Sequence, residues 1–275
     1  MTNSPDQQEH AAARLSIRGL GKTYVSRRGQ VQALSDINLD IYSGEIVCIV
    51  GESGCGKSSL LHILAGFEKP SQGEALMDGR LITGPSYKRA IIFQKSSLLP
   101  WLTVERNITL GHRIRGLPVN PEKIASLVEM MGLRGFERYY PAQLSGGMAQ
   151  RAAIARALAG DTNIDMLLLD EPFSALDTTT RLRLQDEFLR IWRHGGYTTI
   201  FVTHDLDEAL FLGTRIVIMT PRPGSIARIF DVPPGLPRDR DHIDFLHMRN
   251  MIGHEFAALT GRVNEKGQAG KARPS

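Results

Sequence analysis

Four short runs of the chain are apolar at almost every position. They are EIVCIV at 45–50, MLLLD at 166–170, TTIFVT at 198–203 and RIVIM at 215–219. Continuous apolar runs of this length are typical of strands that are buried on both faces of a parallel sheet. A helical pattern over 178–194 separates the second run from the third. Strands that alternate with helices predict a layered α/β fold with a mainly parallel core sheet.

Two further parts of the chain depart from this pattern. LSIRGL at 15–20 and VQALSDINLDIY at 31–42 predict strands of an antiparallel β subdomain. From about 95 to 160 the pattern is helical, with no strong strand. Its clearest helix begins at Asn120–Pro121, a cap followed by a first-turn proline. An apolar stripe at helical spacing follows this cap and ends before a glycine: Ile124, Leu127, Val128, Met131, then Gly132.

These patterns predict an α/β core lobe that is interrupted by a small helical lobe. The polar ends of the chain are typical of solvated tails. The predicted units are a flexible tail at 1–13, a core lobe at 14–94 and 161–231, a helical lobe at 95–160, an extension with a short helix at 232–260 and a flexible tail at 261–275.

Composition restricts the function only weakly. The net charge of +4 and the pI near 9.2 are compatible with a nucleotide, a membrane surface or a nucleic acid as partner. Cys48 and Cys55 are placed like neither a disulfide framework nor a metal site, which indicates a reduced, cytosolic protein. No stretch approaches the roughly 18–20 apolar residues that span a bilayer. The polar N-terminus lacks a signal-peptide core. Any membrane-spanning part is therefore expected on another chain.

The run GESGCGKSS follows the first buried strand and opens a predicted helix from about Lys57 to Ala65. It fits the phosphate-loop pattern G-x-x-x-x-G-K-[ST] in the strand, loop and helix context that the motif requires. Lys57 is expected to reach the β- and γ-phosphates of ATP, and Ser58 to bind Mg²⁺. Cys55 is either a small filler residue, which we favour, or a thiol activated by the helix dipole. The predicted ATP-binding residues of the loop are Gly51, Glu52, Ser53, Gly54, Cys55, Gly56, Lys57, Ser58 and Ser59.

Polar side chains at the ends of other predicted strands supply candidate catalytic groups. Asp170 can hold Mg²⁺ through water, and Glu171 can act as general base toward an attacking water. His204 ends the TTIFVT strand at the same predicted edge, where open α/β sheets bind ligands, and we assign it to the γ-phosphate. Gln94, after RAIIF, is a further candidate ligand of Mg²⁺ or water. The alternatives are a solvated acidic strand end and a structural histidine.

A second glycine turn, LSGGMAQR at 144–151, also opens a helical pattern. The order of phosphate loop, Gln94, this turn, the LLLDEP strand, SALD at 174–177 and a histidine after a strand resembles the ATP-binding cassette (ABC) ATPases. The resemblance covers roughly residues 14–231. It implies a P-loop NTPase fold with an ABC ATPase domain over that range. It also implies ATP and Mg²⁺ as ligands and a head-to-tail dimer of two such domains.

In that family, the signature turn of one domain contacts the ATP bound to the phosphate loop of its partner. The resemblance therefore assigns Ser145, Gly146 and Gly147 to the other copy's ATP, and Asp177 to the dimer interface. A Gly-Gly turn that opens a helix suits an anion, although Ser145 can also serve as a plain N-cap. Tyr24 matches the family's aromatic residue that stacks on adenine, and a buried core tyrosine is the competing interpretation.

Longer segments resemble the nitrate/sulfonate/taurine importer ATPases. They are GPSYKRAIIFQKSSLLPWLTVERNITLG, PRPGSIARIFDV at 221–232, and a C-terminal helix with Phe245, Met248, Met251 and Ile252. The resemblance implies an ATPase on the cytoplasmic face of a prokaryotic membrane that powers import of a small anion. Its implied partners are a second copy or a homologous subunit, an integral-membrane permease and an extracytoplasmic binding protein. The apolar run from Leu98 to Trp101 is expected to receive the permease, with a core position in the helical lobe as the alternative for Trp101.

Two other function classes stay open. A nucleic-acid-associated ABC ATPase is compatible with the pI, but such proteins usually carry tandem cassettes or long coiled arms. The basic residues near the C-terminus are too sparse for a phosphate track, so no nucleic acid is expected as partner: Arg262, Lys266, Lys271 and Arg273. An exporter ATPase is disfavoured by the importer-like segments. The transported substrate is not specified by this chain, because the permease and binding protein select it.

Overall fold

The computed structural model describes residues 12–27, 29–159 and 164–259. The strands are β1 (Leu15–Ser26), β2 (Gly29–Ile41), β3 (Ile46–Val50), β4 (Gln72–Met77), β5 (Arg80–Leu81), β6 (Arg89–Ile92), β7 (Met166–Asp170), β8 (Thr198–Thr203), β9 (Arg215–Met219) and β10 (Ile226–Asp231). The helices are α1 (Lys57–Ala65), α2 (Val104–Ile108), α3 (Leu110–Arg115), α4 (Pro121–Met130), α5 (Gly146–Ala159), α6 (Thr178–Gly195), α7 (Leu206–Leu212) and α8 (Ile243–Leu259), with a 3-10 turn at Pro141–Gln143. Residues 1–11 of the predicted N-terminal tail and the predicted tail at 261–275 lie outside the described ranges.

A six-stranded sheet lies at the centre of the molecule, in the order β10-β9-β3-β8-β7-β6. The strands from β9 to β6 are parallel to their neighbours, and β10 pairs with β9 in the antiparallel sense. The four strands predicted from apolar runs are β3, β7, β8 and β9, so that prediction is confirmed. Because the five parallel strands point the same way, their carboxyl ends meet at one edge of the sheet.

Strand β3 is buried on both faces of this sheet. Ile46, Cys48 and Val50 belong to one hydrophobic cluster, whereas Val47 and Ile49 belong to a second cluster. Successive side chains of a strand point to opposite faces, so this alternation places one core on each side of the sheet. The run of 46–50 is therefore apolar at every position because both faces of β3 are buried, as the sequence predicts.

A four-stranded antiparallel sheet, in the order β2-β1-β4-β5, covers the second cluster. β1 and β2 pair along most of their length, which confirms the predicted antiparallel subdomain, and both strands extend beyond the predicted runs. The pairing of β4 with β1 was not predicted. Apolar side chains of β1, β2 and β4 share the second cluster with α1, so this sheet packs the helix that follows the phosphate loop.

Helices α2 to α5 form the region that was predicted to be helical. The Asn120 side chain accepts hydrogen bonds from the backbone N–H groups of Glu122 (3.0 Å) and Lys123 (3.1 Å), which confirms the predicted cap of α4. The predicted stripe of α4 is buried in the first cluster: Ile124, Leu127, Val128 and Met131. No helix within the described ranges is long and apolar enough to span a membrane.

Trp101 lies on the surface, in the segment between β6 and α2. Its exposed fraction is 68%, whereas that of Leu98 is 9%. The alternative that places Trp101 in the core of the helical lobe is therefore wrong. Leu98, and not Trp101, is the residue of this run that belongs to the first hydrophobic cluster.

The chain after β9 returns to the first hydrophobic cluster. β10 extends the central sheet, and α8 packs against α7 through Phe245 and Ile252, both fully buried. The predicted C-terminal helix is present but is not short, since α8 has 17 residues. Met251, which was grouped with its apolar residues, is half exposed. The predicted domain boundaries stay predictions.

Candidate nucleotide-binding site

Most of the predicted site residues follow parallel strands and meet at one edge of the central sheet. Gly51 follows β3, Asp170 ends β7, and His204 follows β8. Gln94 stands two residues after β6, which places it at the same edge. Loops at the carboxyl ends of parallel strands are the usual ligand sites of open α/β sheets. The topology therefore gathers groups that are far apart in the chain.

The phosphate loop turns sharply into α1 at Gly56. This residue has φ of 107°, and a Cβ atom there would lie 2.7 Å from the Ala33 carbonyl oxygen and from the Leu34 side chain. Glycine is needed for both reasons. α1 has no side-chain cap at Gly56, so the N–H groups of its first turn are available to an anion.

Lys57 points back into this loop and is almost fully buried. Its Nζ atom donates hydrogen bonds to the carbonyl oxygens of Gly51 (2.7 Å) and Glu52 (2.8 Å) and lies 3.8 Å from Cys55 Sγ. Cys55 is itself buried, which agrees with the favoured role as a small filler residue. The loop thus surrounds a positive charge with backbone groups, an arrangement that suits polyanionic phosphates.

Asp170 is a buried carboxylate beside the loop, with an exposed fraction of 7%. Burial raises the pKa of its carboxyl group, and a hydrogen bond from Ser58 opposes that increase. The hydroxyl of Ser58 and the carboxylate of Asp170 are both hard oxygen donors, the kind that Mg²⁺ prefers. The donor set therefore fits Mg²⁺. Gln94, whose Nε2 atom donates to the neighbouring Glu171, has an amide oxygen that is a further candidate ligand.

Glu171 is the meeting point of three predicted catalytic residues. Its Oε2 atom accepts a hydrogen bond from Gln94 Nε2 (3.3 Å) and lies 3.1 Å from His204 Nδ1. Its backbone has φ of 45°, an uncommon conformation for a residue with a side chain, and its N–H donates to the Val202 carbonyl (3.0 Å). Such local strain is concentrated at functional sites. The Glu171 side chain lines the same cleft as the residues of the phosphate loop.

An open cleft of about 660 Å³ brings most of these groups together, but Gly51, Glu52, Cys55 and Asp170 are not among its lining residues. Tyr24 stands on its wall with 38% of the residue exposed, so the interpretation as a buried core tyrosine is wrong. Its hydroxyl group lies 3.1 Å from Ser59 Oγ and 2.8 Å from Glu68 Oε2, and the Nζ atom of Lys22 lies over the ring, 4.9 Å from its centroid. The predicted residues that the cleft brings together are Tyr24, Ser53, Gly54, Gly56, Lys57, Ser58, Ser59, Gln94, Glu171 and His204.

The signature turn lies elsewhere on the molecule. Ser145 and Gly146 are exposed and do not line the cleft. Ser145 Oγ accepts a hydrogen bond from the Met148 N–H (3.2 Å), so the N-cap interpretation is confirmed. Asp177 likewise caps α6 by accepting from the Thr180 N–H (2.9 Å). The assignment of Ser145, Gly146, Gly147 and Asp177 to a partner's nucleotide stays a prediction.

Arg222 is a cleft residue that the sequence reasoning missed, together with Val31 and Ala33. The Nε and Nη2 atoms of Arg222 donate to the Gly54 carbonyl of the phosphate loop, at 3.2 and 3.0 Å. The signal was present in the sequence, because Arg222 follows β9, and β9 ends at the same edge as the other site strands.

Replacing Arg222 with alanine is expected to raise the KM for ATP about tenfold with a smaller change in kcat. The variant loses a two-pronged contact to the phosphate loop and one positive charge of the cleft, and a hydrogen bond to a charged group contributes roughly 1.5–3 kcal/mol. Steady-state ATPase rates over a range of ATP concentrations measure both constants. Arg228→Ala, on the exposed side of β10, is the matched control. An unchanged KM in Arg222→Ala would contradict this role.

Comparison with known proteins adds the following relationships. A family model described as "ABC transporter" matches residues 34–174. An aliphatic sulfonates import ATP-binding protein of Bacillus cereus is 45% identical over 88% of this chain and 95% of its own length. A taurine import ATP-binding protein of Roseobacter denitrificans is 42% identical over 80% of this chain and 82% of its own.

A solved structure supports the same relationship. A dimeric ATP-binding cassette in a post-hydrolysis state, bound to ADP and Pi, superposes with a TM-score of 0.71 at 31% sequence identity. The match covers 80% of this chain and 99% of that structure. The predicted α/β fold with antiparallel subdomain and helical lobe is confirmed by these neighbours.

Proposed function

Since the chain belongs to the ABC transporter family, whose ATP-binding subunits hydrolyse ATP to drive transport, we propose that it powers the import of a small anion of the sulfonate, taurine or nitrate class. The anion passes through a separate membrane permease. The observation that carries this proposal is the arrangement at Glu171, whose carboxylate contacts His204 and Gln94 beside the phosphate loop. The names of the sulfonate and taurine import relatives support the direction of transport and the class of substrate.

ATP binds along the cleft in this proposal. The adenine stacks on the face of the Tyr24 ring that is opposite Lys22, a contact of roughly 1–3 kcal/mol by analogy with base stacking in other proteins. The N–H groups of the phosphate loop and of the first turn of α1 hold the phosphates, and Lys57 exchanges its loop carbonyls for β- and γ-phosphate oxygens.

Mg²⁺ would be held by Ser58, Asp170 and Gln94. When bound, it neutralises the charge that develops on the phosphate oxygens. The buried Asp170 contributes in two ways. Its hydrogen bond with Ser58 orients that hydroxyl group, and its negative charge lies close to Lys57. The oxygen donors are thereby ordered before the nucleotide arrives.

Hydrolysis follows from the position of Glu171. Its carboxylate accepts a proton from the attacking water as the water oxygen bonds to the γ-phosphorus and the bond to the bridging oxygen of ADP breaks. His204 donates a hydrogen bond to the γ-phosphate and, through Nδ1, keeps Glu171 in place. Gln94, which donates to the same Oε2 atom of Glu171, helps to position the attacking water.

Two copies of the chain, or this chain with a homologous subunit, complete each site. Ser145, Gly146 and Gly147 are exposed or half-exposed at the start of α5 and lie outside their own cleft. A serine followed by two glycines at a helix N-terminus binds anions well. Each turn contacts the γ-phosphate of the partner's ATP, and Asp177 lies at the shared interface. The dimeric state of the similar solved structure supports this assembly.

The permease and the membrane are the remaining partners. The proposal places the chain on the cytoplasmic face of the membrane, where an extracytoplasmic binding protein delivers the anion to the permease from the other side. The exposed Trp101, after the buried Leu98, offers an apolar side chain to the permease. No nucleic acid takes part.

Growth of the organism that carries this chain, with Glu171→Gln at the locus, tests the proposal. We expect failure on a sulfonate as sole sulfur source that is rescued by sulfate, or failure on nitrate as sole nitrogen source that is rescued by ammonium. Either result identifies the class of imported anion, because the ATPase is disabled without removal of the protein. A variant with the surface change Glu187→Gln is the control. Normal growth on both sources would contradict the proposed anion class.

A further inference from the structure

The segment after β10, residues 238–249, holds helix α7 at both of its ends. Arg238 donates hydrogen bonds to the carbonyl oxygens of Phe211 (3.2 Å) and Gly213 (2.9 Å), where α7 ends. Arg249, on α8, pairs with Asp207 in the first turn of α7, with Nη2 and Oδ2 3.2 Å apart. α7 begins two residues after His204. The C-terminal segment therefore contacts both ends of the helix that follows the catalytic histidine.

Arg240, between these two arginines, begins a buried chain of hydrogen bonds. It donates to Gln185 Oε1, and Gln185 Nε2 donates to Glu208 Oε1 (2.8 Å). Glu208 Oε2 accepts from the hydroxyl of Thr203 (2.5 Å), whose Oγ1 accepts from the Asp205 N–H (3.0 Å). This series of hydrogen bonds therefore connects the C-terminal segment, through α6 and α7, to the end of β8.

The side chains in the middle of this hydrogen-bond network are shielded from water. Gln185, Glu208 and Thr203 have exposed fractions of 1%, 6% and 2%. Burial raises the pKa of the Glu208 carboxyl, and its hydrogen bonds from Thr203 and Gln185 oppose that increase. The Arg240 guanidinium lies 3.7 Å over the ring of Phe211, which fixes its plane. Buried polar networks with their partners in place rigidify the segments that they join.

The last two bonds of the chain flank His204. Thr203 precedes it and Asp205 follows it, and both are tied to the same hydroxyl group. His204 itself is mostly exposed, and its Nδ1 atom lies 3.1 Å from Glu171. Its backbone is thus fixed from the interior while its side chain remains free to contact a nucleotide.

We propose that the C-terminal segment positions the catalytic histidine, with Arg240 as the positioning residue that acts through Gln185, Glu208 and Thr203. The inference rests on the proposed role of His204 in ATP hydrolysis. It gives the extension after the ATPase domain a part in the rate of the reaction. Arg240 does not line the nucleotide cleft, so its effect is expected on turnover and not on nucleotide affinity.

Arg240→Ala in the full chain tests the inference. We expect kcat for ATP hydrolysis to fall about tenfold while the KM for ATP changes less than about twofold, because small displacements of a catalytic group are costly to turnover. Arg240→Lys, which keeps a donor for Gln185, is expected to recover part of the rate. Arg228→Ala removes an exposed arginine of β10 that pairs with Glu255 of α8, and it is expected to match the wild type. If Arg240→Ala does not fold, kcat and KM for ATP are compared with those of the wild type in Arg240→Lys and Arg240→Gln.

The combination with His204→Ala separates positioning from general stabilisation. In that background we expect Arg240→Ala to lower the residual rate by no more than about twofold, since the group that it positions is gone. An equal loss in both backgrounds, or a changed KM with an unchanged kcat, would overturn the inference. A wild-type rate in His204→Ala alone would instead overturn the proposed role of His204, so the two failures are distinguishable.

Discussion

Replacing Glu171 with glutamine is expected to lower kcat for ATP hydrolysis by about 10²–10⁴-fold, the contribution typical of a positioned general base. The amide keeps the size of the side chain and can still meet Gln94 and His204, but it cannot take a proton from water. ATP binding is expected to persist, because Lys57 and the phosphate loop are unchanged. The variant should therefore collect in an ATP-bound closed dimer, measured by size exclusion with light scattering in the presence of ATP and Mg²⁺.

The matched control is Glu187→Gln, which makes the same chemical change at a carboxylate that pairs with Arg190 on the surface of α6. It should hydrolyse ATP like the wild type. A Glu171→Gln variant that stays monomeric with ATP and hydrolyses it at the normal rate would refute the assignment of Glu171 as general base.

The second large effect is expected for Lys57→Ala. The variant removes a buried positive charge that lies within hydrogen-bonding distance of two loop carbonyls, and loss of one preorganised donor to developing charge typically costs on the order of 10²–10³-fold in kcat. Loss of the charge also weakens the attraction for phosphates, so nucleotide affinity should fall with it. Titration with a fluorescent ATP analogue and a coupled ATPase assay measure the two effects separately.

Lys88→Ala is a suitable control for Lys57→Ala, since Lys88 is half exposed and pairs with Asp165 at 3.2 Å, outside the cleft. Its binding and turnover should match those of the wild type. Unchanged turnover in Lys57→Ala would show that the loop around Gly51 and Gly56 is not the nucleotide site, and the proposed function would fail with it.

The central strands and the phosphate loop could be predicted from sequence because their signals are local. β3 is apolar at every position since both of its faces are buried, and the glycines of the loop are required by the backbone itself, as at Gly56. Asp170 and His204 could be placed at one edge because the direction of parallel strands fixes where their ends meet.

Other features depend on contacts between distant segments and have weaker local signals. β4 was missed because its burial alternates irregularly and its pairing partner, β1, is more than 50 residues away. Arg222 donates to Gly54 across 168 residues; its position after β9 indicates the site edge, but no local pattern indicates its contact with the phosphate loop. The sequence does not specify the position of Trp101, because an apolar side chain in a turn can face either the core or the solvent.

The residues of β3 alternate between the two hydrophobic clusters, and the phosphate loop begins where this strand ends. A ligand that binds only the folded chain raises the free energy of unfolding, by roughly 2.7 kcal/mol when the ligand concentration is 100 times its Kd. Because one strand joins both clusters to the loop, that added free energy is shared by the layers on both faces of the sheet. The concentration of ATP in the cell thus sets part of the stability of this protein, because bound nucleotide lowers the population of unfolded chains.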